Sequence, residues 1–179
     1  MTIAARRTTH EDQGRAAVPI PRHPIGLARR FYQLATAVTA EVHERERTGL
    51  RHLEFGVMVT VHDMPGLDQN SLAEWLVLDR ATISALVFRL EQQGLLERAV
   101  NSADRRARVL RLTKKGKVLH DRVRPLTQAA QERVLAVLPP AERRTLVDLL
   151  TRVIQANYLY VRPGAGRRRP TRTTTRTKP

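Results

Sequence analysis

PGLDQNSLAEWLVLDRATISALVFRLEQQGLLERAVNSADRRARVLRLTKKGKV, residues 65–118, decides the fold. Pro65-Gly66 breaks the chain ahead of it. Ser71, with Glu74 three residues on, has capping-box spacing and is expected to cap a short helix whose inner face is Leu72, Ala73 and Leu76. Leu78 falls in a turn. Asp79 then offers a carboxylate to the free N–H groups of a second helix, about residues 79–93. Ile83, Leu86, Val87 and Leu90 recur at helical spacing and are expected to face the core. Arg80, Thr82, Ser84, Ala85, Phe88 and Arg89 then face outward. Gly94 stops the helix, and Leu95 can fold back on its last turn.

Two β-compatible runs follow, Leu95 to Val100 and Arg108 to Leu112. The residues between them hold the turn formers Asn101, Ser102 and Asp104. This is a hairpin with Arg105 and Arg106 at its tip and Arg108 at its base. Thr113 caps a further helix that opens with Lys114 and Lys115. Two helices, a tight turn and a basic hairpin make a winged helix-turn-helix, with the hairpin, about 101–108, as the wing. Short hydroxyls and arginines near a helix N-terminus suit base edges and phosphates. From Arg80 to Lys117 there are ten Lys/Arg and three Asp/Glu, a net charge of +7. An ordinary solvated hairpin mixes the signs more evenly.

Double-stranded DNA is therefore the expected partner, with Ser71, Arg80, Thr82, Ser84, Arg89, Asp104, Arg105, Arg106 and Arg108 as the candidate contacts. Thr82, Ser84 and Arg89 are placed on bases and phosphates, and Ser71 and Arg80 on the backbone. The whole chain of 179 residues carries +15, which suits a polyanion. Residues 1–30 hold +4 and residues 162–179 hold +7. Such tails also allow an architectural, largely sequence-independent DNA binder; the capped second helix and the defined wing favour a specific regulator.

The segment resembles the MarR (multiple antibiotic resistance regulator) family of bacterial transcription factors. LDRATISALVFRLEQQGLLER in the second helix, Asp104-Arg105-Arg106 in the wing and LRLTKKGKVL after it carry the resemblance. It implies that Arg106 enters the minor groove and Asp104 steadies it. It implies terminal helices that intertwine into a dimer, and a small aromatic or anionic effector between them and the winged module. In that arrangement Arg30, Tyr32, His52 and Phe55 flank the effector crevice. A ligand-responsive repressor on a pseudo-palindromic operator is the expected function.

The flanking sequence agrees. Leu27, Phe31, Leu34, Val38 and Val42 stripe a helix that ends near Thr48-Gly49. A second helix is expected from about Leu53 to Met64. A long helix runs from Lys114 to Leu138, with Pro125 expected to bend it. After Pro139-Pro140 comes a last helix striped by Leu146, Leu149, Leu150, Val153 and Ile154. These faces exceed what one small module can cover, and a two-fold homodimer would bury them; the alternative is a monomer that folds its own termini back. The expected fold is mainly α with a small β-hairpin. Its parts are a disordered basic leader (1–24), a body (25–161) and a disordered basic tail (162–179). Within the body, residues 25–50 and 114–161 are dimerisation helices and 51–113 the DNA-binding region.

Several chemistries find no parts. The chain has no cysteine, which removes disulfides, zinc–thiolate sites and thiol redox sensing. His43, His52 and His62 lack the i,i+4 pairing of a metal site, so no metal or cofactor is expected. Neither a phosphate loop nor a nucleophile elbow occurs, so no enzyme is expected. Trp75 is expected in the core or a cleft. No apolar run approaches the ~20 residues of a bilayer span, and the N-terminus lacks a signal-peptide core. A cytoplasmic protein without membrane partners is expected.

Overall fold

The computed structural model describes residues 22–100 and 108–160. Most of the expected basic leader, the wing tip with Asp104, Arg105 and Arg106, and the basic tail lie outside the described residues. The elements run α1 (Pro24–Arg45), α2 (His52–Asp63), α3 (Gln69–Trp75), α4 (Arg80–Gln92), β1 (Leu96–Val100), β2 (Arg108–Leu112), α5 (Lys114–Val134) and α6 (Pro140–Ala156), then a short 3₁₀ turn, Tyr158–Tyr160. The chain is thus mainly helical, with one two-stranded antiparallel hairpin. Its described residues fall into two compact units that divide after Leu34. In the first, Ile25, Leu27, Phe31, Tyr32 and Leu34 of α1 are all exposed.

In the second unit the core is the winged module itself. Phe55, Val57, Met58 and Val61 of α2 meet Leu72 and Ala73 of α3 and Ile83, Val87 and Leu90 of α4. Leu95, Leu96 and Leu110 close one side, and Val123 and Ala130 of α5 another. The hairpin pairs Leu96 with Leu112 and Val100 with Arg108. Leu110 N–H donates to Leu67 O at 2.8 Å, tying β2 to the segment ahead of α3.

Asp79 caps α4 as expected, its Oδ1 accepting from Thr82 N–H at 2.8 Å. Thr113 likewise caps α5 by accepting from Gly116 N–H. The cap of α3 differs from expectation. It is Asp68, whose Oδ1 accepts from Ser71 N–H at 2.7 Å; Ser71 stands three residues inside. The helix starts earlier than Ser71, so the serine becomes the donor rather than the cap. Pro125 lies inside α5, which continues on both sides of it. Trp75 is exposed, not core, because α3 ends at it and buries only Leu72 and Ala73.

Helices α3 and α4 end with the same backbone signature. After α4, Leu95 N–H reaches Leu90 O and Gly94 N–H reaches Glu91 O, with Gly94 at φ +66°. After α3 the equivalent bonds are Leu78 N–H to Ala73 O and Val77 N–H to Glu74 O. Here the left-handed position is held by Val77 at φ +54°. A β-branched residue is strained there. Val77→Gly is expected to stabilise the protein by about 1 kcal/mol, the relief of left-handed strain less glycine's extra chain entropy. Differential scanning calorimetry should show Tm rising by a few degrees; a fall would mean that Val77 packing outweighs its strain.

Candidate nucleic-acid interface

The second helix of the pair, α4, presents Arg80, Ala81, Ser84, Ala85, Phe88 and Gln92 to the exterior. Its inner face is the Ile83, Val87 and Leu90 row, so the core packing fixes which side is free. Exposed cations on the following elements include Arg108 and Arg111 on β2 and Lys114 at the start of α5, and Lys115 Nζ donates to Gln93 O at the end of α4. Arg98 is held in place by Glu91 at 2.8 Å and by Gln69 Oε1 at 3.0 Å.

Two candidate contacts have internal partners. The Thr82 hydroxyl donates to Asp79 Oδ2 at 2.9 Å. Arg89 Nε lies 3.0 Å from Glu54 Oε1 of α2, an ion pair whose carboxylate is fully buried while the arginine is 40% exposed. The contact is close in distance, but its angle falls short of a directed hydrogen bond at that oxygen. Glu54 Oε2 accepts from Arg51 N–H at 2.8 Å, closing the first turn of α2. Ser84, Arg80 and Arg108 are exposed, and Ser71 is half-buried.

A second feature is a cavity of about 300 Å³ behind α2. Its walls include His52, Phe55 and Val59 of α2, Leu76, and Arg124, Thr127 and Gln131 of α5. His52 and Phe55 were expected there; Arg124 was not. Arg30 and Tyr32 belong to the unit that ends at Leu34, where both are exposed, and they are not part of this lining. Burial pushes His52 below its ordinary pKa. His43 is lowered too, first by burial and then by the neighbouring His52.

Beside the cavity, Arg124 forms a two-pronged ion pair with both carboxylate oxygens of Asp63. This pair, with His62 next, holds the Asp63 carboxyl at about 2. His62, Asp63 and His120 bring potential ligand atoms within 4.8 Å of one another. The arrangement does not suit a metal ion. The guanidinium already takes the Asp63 oxygens, and His120 Nδ1 lies 2.9 Å from Asp121. The two rings also stack at 4.1 Å and 21°, so their in-plane lone pairs run side by side rather than converging.

The sequence and fold are matched by known proteins. The MarR family model matches residues 50–107. A putative transcriptional regulatory protein for the hcr operon of Thauera aromatica is 32% identical over 123 residues, covering 69% of this chain and 70% of that protein. The chain belongs to the MarR family. Among solved structures, the PcaV transcriptional regulator from Streptomyces coelicolor, in complex with its natural ligand, is 34% identical with a TM-score of 0.63; the match covers 79% of this chain and 98% of that one. Bordetella bronchiseptica BpsR, whose DNA binding is regulated by 6-hydroxynicotinic acid, is 25% identical with a TM-score of 0.66, over 77% of this chain and 97% of that one. This MarR-family protein is a DNA-binding transcriptional regulator. Among its described residues no helix is long and apolar enough to cross a membrane.

Proposed function

We propose that this regulator is a cytoplasmic, homodimeric repressor that releases its operator when a small aromatic acid binds. The observation that carries DNA recognition is α4: a helix fixed by Asp79 at one end and Gly94 at the other, with an exposed outer face that includes Arg80. Each protomer would set α4 in one of two successive major grooves of a pseudo-palindrome, about one helical turn apart. Ser84 and Arg80 then stand nearest the DNA, with Ser71, Thr82 and Arg108 at its margins. Arg105 and Arg106 of the wing, steadied by Asp104, would occupy the flanking minor groove, where narrow A·T segments concentrate negative potential.

Dimerisation is supported by α6, which buries none of its own residues and exposes Val147, Leu149, Leu150, Val153 and Ile154. A second copy would cover that face. The cavity lined by Phe55, His52 and Arg124 supports the effector: an aromatic wall, a titratable ring and a cation suit an aromatic carboxylate. The aromatic acid that regulates BpsR is of that chemistry. Such a ligand acts only by preferring one spacing of the helices over another.

The test is binding of the full chain to its own upstream intergenic DNA against scrambled DNA of equal length, over a salt series. A preference of ~10³-fold that survives raised salt is expected. Equal affinities that fall together with salt would leave only phosphate contacts and refute a specific repressor. On the preferred fragment, Arg106→Ala is expected to weaken binding by about 1–3 kcal/mol. An unchanged titration would remove Arg106 from the interface.

A further inference from the structure

The outer stripe of α4 is poor in the groups that usually read bases. Ala81, Ser84, Ala85, Phe88 and Gln92 follow one another at helical spacing and are all exposed. Phe88, at 58% exposure, is the largest side chain on that stripe. The hydrogen-bonding residues beside it are occupied: the Thr82 hydroxyl by Asp79 and the Arg89 guanidinium by Glu54. At the centre of this face α4 offers the Phe88 ring and the Ala85 methyl group, with the Ser84 hydroxyl on one side and the Gln92 amide one turn on.

In the major groove the apolar mark on a base edge is the thymine C5 methyl group. We infer that α4 reads thymine methyl groups through Phe88 and Ala85. The inference rests on the proposed placement of α4 in the major groove. Phe88 and Ala85 are three residues apart, about 4.5 Å along the helix axis. That is slightly more than one base step of ~3.4 Å, so the two side chains meet neighbouring base pairs. The charge around the stripe selects DNA over a protein as its occupant. Residues 80–90 hold the exposed Arg80 and no acidic group, Arg89 is paired with Glu54, and Glu91 is engaged by Arg98. An exposed phenylalanine within a cationic surface gains little from a basic or neutral protein. Against a duplex, the cations hold the phosphates while the ring displaces water from the methyl groups.

The experiment selects the tightest duplexes from a random pool with the full-length protein. The selected duplex is then remade with deoxyuridine for thymidine, one position at a time, which removes only the methyl group. Loss of one buried methyl contact is expected to weaken wild-type binding about fourfold, and loss at both half-sites about fifteenfold. With Phe88→Ala the two forms should bind alike, while Phe88→Leu should keep part of the difference. The ring is exposed, so the variants are expected to fold, and circular dichroism checks this. Equal binding of both forms by the wild type, or full discrimination kept by Phe88→Ala, overturns the inference alone. A change of oligomeric state in Phe88→Ala with discrimination intact also overturns it, by making Phe88 a contact between copies. A pool that yields no enriched sequence overturns the proposed specific repressor as well.

Discussion

Gly116→Ala is expected to unfold the winged module at a lower denaturant concentration than the same methyl added at Gly56, where nothing lies within 4 Å of it. Gly116 is the third residue of α5, and its Cα faces the backbone of Leu95. A Cβ there would overlap the Leu95 carbonyl oxygen and stand 2.9 Å from its carbon and 3.2 Å from its Cα. That backbone has no room to retreat. Leu95 N–H is bonded to Leu90 O, its carbonyl accepts from Thr113 N–H at 3.1 Å, and the Thr113 hydroxyl donates to Gly94 O at 2.6 Å. The end of α4, the start of the hairpin and the start of α5 are thus laced at one point. Overpacking costs about 1–3 kcal/mol and more where backbone is hit, so about 3 kcal/mol is expected here. Gly56→Ala is the control: it lies inside α2 with nothing within 4 Å of an added Cβ, and should be neutral or stabilising. Urea midpoints followed by circular dichroism decide the matter, and a Gly116→Ala midpoint equal to that of Gly56→Ala would refute the close approach.

The features legible in the sequence were those set by neighbours in the chain. Asp79 and Thr113 cap helices because their side chains reach backbone groups three residues on, and Gly94 stops α4 because the left-handed turn follows directly. The hairpin could be read from its turn formers and from the glycine before it. Choices made by distant partners were not legible. Ser71 and Asp68 are both good caps, and the start of α3 follows a turn at Gly66, where Leu67 is bonded to Leu110 of β2. Arg89 looked like a free DNA contact because its partner, Glu54, is on a different helix. Arg124 escaped notice because a helix stripe does not say which cation near its edge faces a cavity. The spacing of His43, His52 and His62 did not reveal His120, which stacks on His62 from α5.

The Arg89–Glu54 pair is expected to act first on stability and only then on DNA. Arg89→Met leaves a fully buried carboxylate that still accepts from the Arg51 N–H but has lost its counter-charge. Breaking a buried pair from one side costs about 3–5 kcal/mol. The 40% exposure of Arg89 lets water reach its side of the pair, which lowers the expected loss to about 2–3 kcal/mol. Glu54→Met with Arg89→Met should recover most of it, because two apolar side chains of similar length leave no charge behind. A double-mutant cycle on the free protein measures the coupling. If Arg89→Met leaves the urea midpoint unchanged while weakening operator binding, Arg89 is a DNA contact and the pair is incidental. If stability falls and the double variant restores both stability and affinity, the pair is a strut. A strut would also give the effector a route to DNA. Glu54 lies between His52 and Phe55, which line the cavity, and its partner is on the helix placed in the major groove. A ligand that shifts α2 would then carry Arg89, and with it α4, away from the spacing that the operator requires.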